Sequence, residues 1–180
     1  SYLKASGWLD GQPWGFEVVL PAGFDLAHSA PDKAKRAADW QALAVGMPHA
    51  RPWPATSGEL ILLLPSGAAG PAFLVTANFR AILRYNASTA YALAVGLLAD
   101  TLAGGEPQVR WPEGDQALSR SEREELQRLL TTLGHDSGAA DAIIGGQTRA
   151  AIRAWQRSQS LPEDGHPSHD LLTRLRASRN

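Results

Sequence analysis

Between residues 87 and 102, apolar side chains fall at Ala87, Ala90, Tyr91, Ala94, Val95, Leu98 and Leu102. That is the i, i+3, i+4 spacing of a helical face that packs inward. Leu93 and Leu97 make the other side apolar too, so the spacing predicts a helix enclosed by other elements. At its start lie Arg84, Tyr85 and Asn86, three polar side chains in an otherwise greasy stretch. Asn86 or Ser88 can cap the first turn by accepting from free backbone N–H groups. Read locally, this is a capped core helix with a satisfied tyrosine. A Tyr–Asn pair where an apolar run gives way to a buried helix is also well placed to line a cleft.

What precedes that helix reads as a small sheet. Residues 16–20, 59–64, 72–75 and 79–83 are short apolar runs set off by Pro21, Pro65-Ser66-Gly67, Gly70-Pro71 and Thr76-Ala77-Asn78. Turns this close together favour antiparallel strands. One helix accompanies them, expected from Asp32 to about residue 45, with Ala37, Trp40, Leu43 and Ala44 on its inner side. Residues 46–58 carry Pro48, Pro52 and Pro54 and read as loop.

Composition shifts at Gly104-Gly105-Glu106-Pro107 and at Trp111-Pro112-Glu113-Gly114, which places a linker at about 104–117. Beyond it, Ser119 and Glu122 form a capping box. Leu126, Leu129, Leu130 and Leu133 follow at helical spacing, and Gly134 stops the helix. A second helix is expected over about 147–159 with Ala151, Ile152 and Trp155 inward. Ser168 caps a third, which carries Leu171, Leu172 and Leu175. The fold class is therefore α+β, with a small antiparallel β domain and a long helix followed by an all-α three-helix bundle. The domains are expected at 1–103 (sheet about 16–84, helix about 86–102) and 118–177.

Charge and composition exclude several classes. With 17 basic and 18 acidic residues there is no basic excess to draw nucleic acid or an anionic membrane. The absence of cysteine removes disulfides and thiolate zinc sites. His166 and His169 lie three apart with Pro167 between them and no third ligand nearby, and His28, His49 and His135 read as exposed loop residues. No metal and no cofactor are expected. Trp14, Trp53 and Trp111 fall in loops, where stacking on sugar competes with packing, and packing is preferred.

Two resemblances sharpen this reading. Leu126-Gln127, Leu130, Leu133-Gly134, then Asp141-Ala142-Ile143-Ile144-Gly145-Gly146-Gln147-Thr148-Arg149, Trp155-Gln156 and Leu161-Pro162-x-Asp164-Gly165 resemble a peptidoglycan-binding domain of the three-helix type. Ala142 stands where that family has Gly, and Gly146 where it has Pro. Thr148 is expected to start the second helix and Arg149 to stay solvated. The resemblance implies a shallow groove for glycan or stem peptide.

Further upstream, Tyr2-Leu3-Lys4-x-x-Gly7-Trp8, Gly11-Gln12-Pro13-Trp14-Gly15, Leu20-Pro21, Gly70-Pro71-Ala72-Phe73-Leu74-Val75, Asn78-Phe79 and Arg84-Tyr85-Asn86-x-Ser88-x-x-Tyr91 resemble the lytic murein transglycosylases of the membrane-bound B type. That resemblance implies a lysozyme-like core interrupted by a small β domain, with residues after 85 forming the return helix. It implies cleavage of the β-1,4 bond between N-acetylmuramic acid and N-acetylglucosamine with a 1,6-anhydro product. One Glu serves as acid and then as base, which needs a raised pKa. It also implies a periplasmic setting, outer-membrane anchored in the full-length protein.

The family carries that Glu in a Glu-Ser pair, and no Glu-Ser occurs here. Glu17, Glu59, Glu106 and Glu113 match no catalytic motif. The chain starts at Ser1 without an initiator Met and is expected to be a fragment or processed piece, with the acid upstream. On the resemblance Tyr85 and Asn86 contact the sugar, while Arg84 makes a structural ion pair. The expected partner is the peptidoglycan glycan strand, bound rather than cut by this chain alone. A non-catalytic binding module, or a scaffold docking other cell-wall enzymes, is the competing reading. A monomer is expected for the complete protein.

Overall fold

The structure, a computed structural model, describes residues 2–105, 109–114 and 116–179, without the side chain of Tyr2. Glu106 and Pro107 of the expected linker lie outside the described residues. The chain divides into two compact units. One comprises Ser1–Phe24, His28–Pro65 and Gly70–Trp111, and the other Asp25–Ala27, Ser66–Ala69 and Pro112–Asn180.

In the first unit a one-turn helix, α1 (Tyr2–Ala5), ends at Gly7, whose φ of +86° suits a residue without Cβ. Residues 9–14 then form a strap held by one buried amide. Asn78 Oδ1 accepts from Leu9 N at 2.7 Å, and its Nδ2 donates to Leu9 O at 2.9 Å and Gln12 O at 2.7 Å. Thr76 closes the strap by donating its hydroxyl to Pro13 O at 2.6 Å. The strap leads into β1 (Gly15–Val18). With β2 (Ile61–Leu63) and β3 (Ala72–Val75) it makes a sheet in the order β1-β3-β2, antiparallel throughout. Gly15 faces Val75 and Glu17 faces Phe73 in this register.

The helix expected from Asp32 onward is broken. A 3-10 turn at Pro31–Lys33 is followed by α2 (Ala37–Ala42). Between them Lys35 exchanges backbone hydrogen bonds with Leu60 at 3.0 and 2.7 Å, so its peptide groups are not available to a helix. Trp40 on α2 is fully buried and donates its indole N–H to Leu60 O at 3.2 Å.

The run 79–83, expected as a strand, is the middle of α3 (Ala77–Tyr85). Thr76 caps it by accepting from Asn78 N at 3.0 Å, and Asn78, Phe79, Ala81 and Ile82 are its buried residues. A helix gives Phe79 and Ile82 one common face, on which both reach the core. After the short connection 86–88 comes α4 (Thr89–Leu102), capped by Ser88, whose hydroxyl accepts from Tyr91 N. Its inward face is not the expected one. Ala92, Leu93 and Gly96 are buried, whereas Leu98 is 59% and Leu102 80% exposed. A helix apolar all round has no periodicity to say which side is covered, and here the sheet-facing side is. The resulting core joins Trp14, Phe73, Val75, Phe79, Ile82, Ala92 and Leu93.

The second unit is built on α5 (Arg120–Thr132), α6 (Gly146–Ser158) and α7 (His169–Ala177). Ser119 and Glu122 form the expected capping box, and Ser168 caps α7. Leu126, Leu130, Ile152, Trp155, Leu172 and Leu175 fill the centre. Buried among them, Gln127 organises the 137–148 loop. Its Oε1 accepts from Ala142 N at 2.9 Å, and its Nε2 lies 3.2 Å from Ile143 O and Thr148 Oγ1. The cap of α6 is Gly145, not Thr148, because Thr148 sits inside the first turn and donates to Ser137 O at 3.1 Å.

Arg149 is half-buried rather than solvated, and donates to Gly165 O at 3.2 Å. Burial, and then the neighbouring Arg153, lower its pKa from the usual guanidinium value, against a pull from Asp164.

Ala142 adopts φ +67°, a left-handed conformation that disfavours a Cβ. Ala142→Gly is therefore expected to raise the melting temperature of this unit by roughly 4 °C, for about 0.5–1 kcal/mol. Calorimetry checks this, and a lower melting temperature would mean that the buried methyl outweighs the backbone strain. Among the described residues no helix is long and apolar enough to cross a membrane.

Candidate functional site

The junction between α3 and α4 brings Tyr85, Asn86 and Tyr91 to one surface of the first unit. Asn86 ends α3, its N–H donating to Ile82 O at 3.2 Å. Its side-chain oxygen accepts from Ser88 N at 3.0 Å, and Ser88 in turn caps α4. The oxygen of Asn86 is thus committed to the turn, and its Nδ2 is what the amide can offer a ligand. Arg84, expected in an ion pair, donates Nη1 to Ser6 O at 2.6 Å and ties the end of α1 to α3.

Tyr85 projects outward, 63% exposed, with its ring 6.1 Å from that of Tyr91 and tilted 30° to it. Tyr91 was expected on the buried face of the helix. It instead stands with Tyr85 over a groove of about 380 Å³ lined by Leu3, Trp8, Trp14, Ile82, Val95, Gly96 and Ala99. No carboxylate is among these residues. The groove has an amphipathic rim, two phenols and an amide nearby, and an apolar interior. Such a rim can stack on a sugar ring and bond its substituents, while the interior suits aliphatic groups.

Trp14 forms the partition of this groove. It is buried and packs against Phe73 and Phe79, each 5.9 Å away between ring centres. Its Nε1 donates to Asp100 Oδ2 at 2.9 Å. The approach to α4 is possible because residue 96 is glycine: a Cβ there would lie 2.5 Å from the indole. The other loop tryptophans also pack, Trp53 edge-on to Phe16 at 5.6 Å and Trp111 6.5 Å from Phe73. Sequence reasoning missed Trp8, Trp14 and Tyr91 as neighbours of Tyr85. Tyr91 was the findable one, since the turn 86–88 is short enough to set the start of α4 beside the end of α3.

Trp14 also lines a second groove, together with Glu17 and Asp100. Burial raises the pKa of both carboxyls. Arg51 and then His49 oppose the shift at Glu17, and the Trp14 indole opposes it at Asp100. Glu59 and Glu113 are exposed, and Glu106 lies outside the described residues. Among the described residues no three His, Cys, Asp or Glu come together as a metal site. In the helical unit a smaller pocket of about 200 Å³ is lined by Gln156, Asp164, His166, Ser168, Asp170 and Arg174. Asp164 shapes the loop behind it by accepting from Gln156 Nε2 at 2.7 Å and His166 N at 2.9 Å.

Residues 1–100 match the family described as "Transglycosylase SLT domain", and residues 119–175 match the "Putative peptidoglycan binding domain". The chain is similar to the crystal structure of SltB3 from Pseudomonas aeruginosa in complex with NAG-anhNAM-pentapeptide. That likeness has a TM-score of 0.91 and 55% identity, covering 97% of this chain and 48% of that one. The same protein in complex with NAG-NAM-pentapeptide gives a TM-score of 0.90 and 54% identity, covering 97% and 47%. A shorter likeness, 46% over 55 residues, is to the "Putative OxPP cycle protein OpcA" of Nostoc punctiforme, covering 31% of this chain and 12% of that protein. The chain spans about half the length of the solved structures it matches. The α+β class, with a lysozyme-like core and a helical peptidoglycan-binding unit, follows from these likenesses.

Proposed function

Because the chain belongs to the Transglycosylase SLT domain family and carries a peptidoglycan-binding domain behind it, we propose that it supplies one wall of a murein-cleaving site of the membrane-bound B type. The reaction is scission of the β-1,4 bond between N-acetylmuramic acid and N-acetylglucosamine, with the muramic 6-hydroxyl closing a 1,6-anhydro ring. The general acid, a glutamic acid kept protonated by its surroundings, lies on chain outside residues 1–180. The setting is the periplasm, with outer-membrane anchoring in the full-length protein. Taken alone, the chain binds murein without cutting it.

The observation that carries this reading is the exposed Tyr85–Tyr91 pair over a groove with no carboxylate of its own. Tyr85 stacks on an N-acetyl sugar, and Asn86 donates its Nδ2 to the acetamido carbonyl. The apolar interior of the groove, with Leu3 and the exposed Leu98 and Leu102, is surface for the lobe that brings the acid. Complexes of SltB3 with peptidoglycan fragments support the substrate class.

The test uses purified murein sacculi. The 180-residue chain is expected to sediment with them and to release no anhydro-muropeptides detectable by mass spectrometry. Tyr85→Ala is expected to weaken sedimentation by roughly three- to tenfold, about 1 kcal/mol for one exposed stacking contact. Release of anhydro products by the chain alone would place the acid within it. Failure to sediment would remove the binding claim.

A further inference from the structure

The groove lined by Trp14, Glu17 and Asp100 has a volume of about 490 Å³, a size typical of small-ligand sites. It is built from three separate elements. Glu17 enters from β1, Asp100 from the last turn of α4, and Arg51 from the proline-rich loop, with Phe73 and Pro52 as apolar wall. The loop reaches this position through two consecutive non-glycine residues in the left-handed region, His49 at φ 54° and Ala50 at φ 52°. Both are disfavoured there, because a Cβ crowds the following carbonyl oxygen. Strain of this kind, retained beside a cleft, marks a place where the position of a side chain matters more than local stability.

A neutral N-acetyl sugar can hydrogen-bond these groups through its hydroxyls but brings no charge to balance the excess of acid over base. A peptide that carries both an ammonium group and a carboxylate satisfies both signs and lays its aliphatic side chains on Phe73 and Pro52. Resting on the murein reading above, we infer that this groove binds the peptide portion of a murein fragment: an ammonium group between Glu17 and Asp100, and a carboxylate on Arg51. Trp14 lines this groove and the Tyr85 groove alike, so sugar and peptide sites would share one residue.

The experiment is amide chemical-shift mapping of the nitrogen-labelled full chain. The probes are a synthetic pentapeptide with one side-chain amine and a free C-terminal carboxylate, and the murein disaccharide without peptide. The peptide is expected to shift the amides of Glu17, Arg51, Phe73 and Asp100 saturably. Glu17→Gln and Arg51→Ala should each weaken that binding about fivefold or more, and the disaccharide should leave these amides in place. Tyr85→Ala should not change the peptide response, which keeps this outcome separate from the sacculus assay. Peptide shifts confined to the helical unit, or movement of the groove residues by the disaccharide, would overturn the assignment.

Discussion

Gly96→Val is expected to lower the melting temperature of the first unit by about 10 °C and to abolish the near-ultraviolet circular dichroism contributed by a fixed Trp14. The Cβ of any residue at 96 would meet Trp14 Cδ2 and Cε2 at 2.5 Å. The indole is wedged between Phe73 and Phe79 and has nowhere to retreat without losing its bond to Asp100. Overpacking of this kind costs roughly 1–3 kcal/mol, and a β-branched side chain belongs at the upper end. Gly96→Ala is the graded control. Helix propensity favours alanine by about 1 kcal/mol, so its net penalty should be smaller than that of valine. An alanine variant more stable than the parent would show that Trp14 does not press on α4 as described. Because Trp14 lines both grooves, either variant should also disturb peptide and sacculus binding together.

Gln127→Leu should act on the helical unit alone. Leucine keeps most of the volume but removes every hydrogen bond the amide makes. Ala142 N–H loses its acceptor inside the protein, and Ile143 O and Thr148 Oγ1 lose a donor. One unsatisfied buried group costs about 1–3 kcal/mol, so the variant is expected to lose roughly 2–4 kcal/mol. In a unit this small that amounts to about 10 °C or more. Calorimetry, with hydrogen exchange of the α6 amides, measures it. A fall under about 2 °C would mean that the 137–148 loop holds without Gln127.

The helical unit was legible because its signals are local. Ser119 with Glu122, Ser168 and the leucines at helical spacing all act within a turn or two of themselves. Gln127 was not legible, since a polar residue in a helix looks solvated until the loop that folds over it is known. Arg149 misled for the same reason. In the first unit the strands at 16–20, 59–64 and 72–75 emerged near their expected places, whereas 79–83 did not. Five residues are too few for period 2 and period 3.6 to separate, and the cap at Thr76 was the neglected cue. The exposed side of α4 was misjudged because alanine and leucine surround the helix. Tyr85 and Asn86 stood out as polar residues in an apolar stretch. The Glu17–Asp100 groove could not stand out, since the two acids are far apart in sequence and come to line one groove only through the fold.

The strand order β1-β3-β2 has a consequence for how the protein is made. β1 is finished at Val18, but its ladder partner is complete only at Val75. At a synthesis rate of ~5–20 residues per second, the first strand waits roughly 3–10 s on the ribosome with no neighbour in the sheet. The strap at 9–14 waits longer still, because the amide that holds it is on Asn78. Until Asn78 is made, the 9–14 segment and its neighbour Trp8 have no such amide to hold them, and Trp14 stays uncovered for a chaperone to bind.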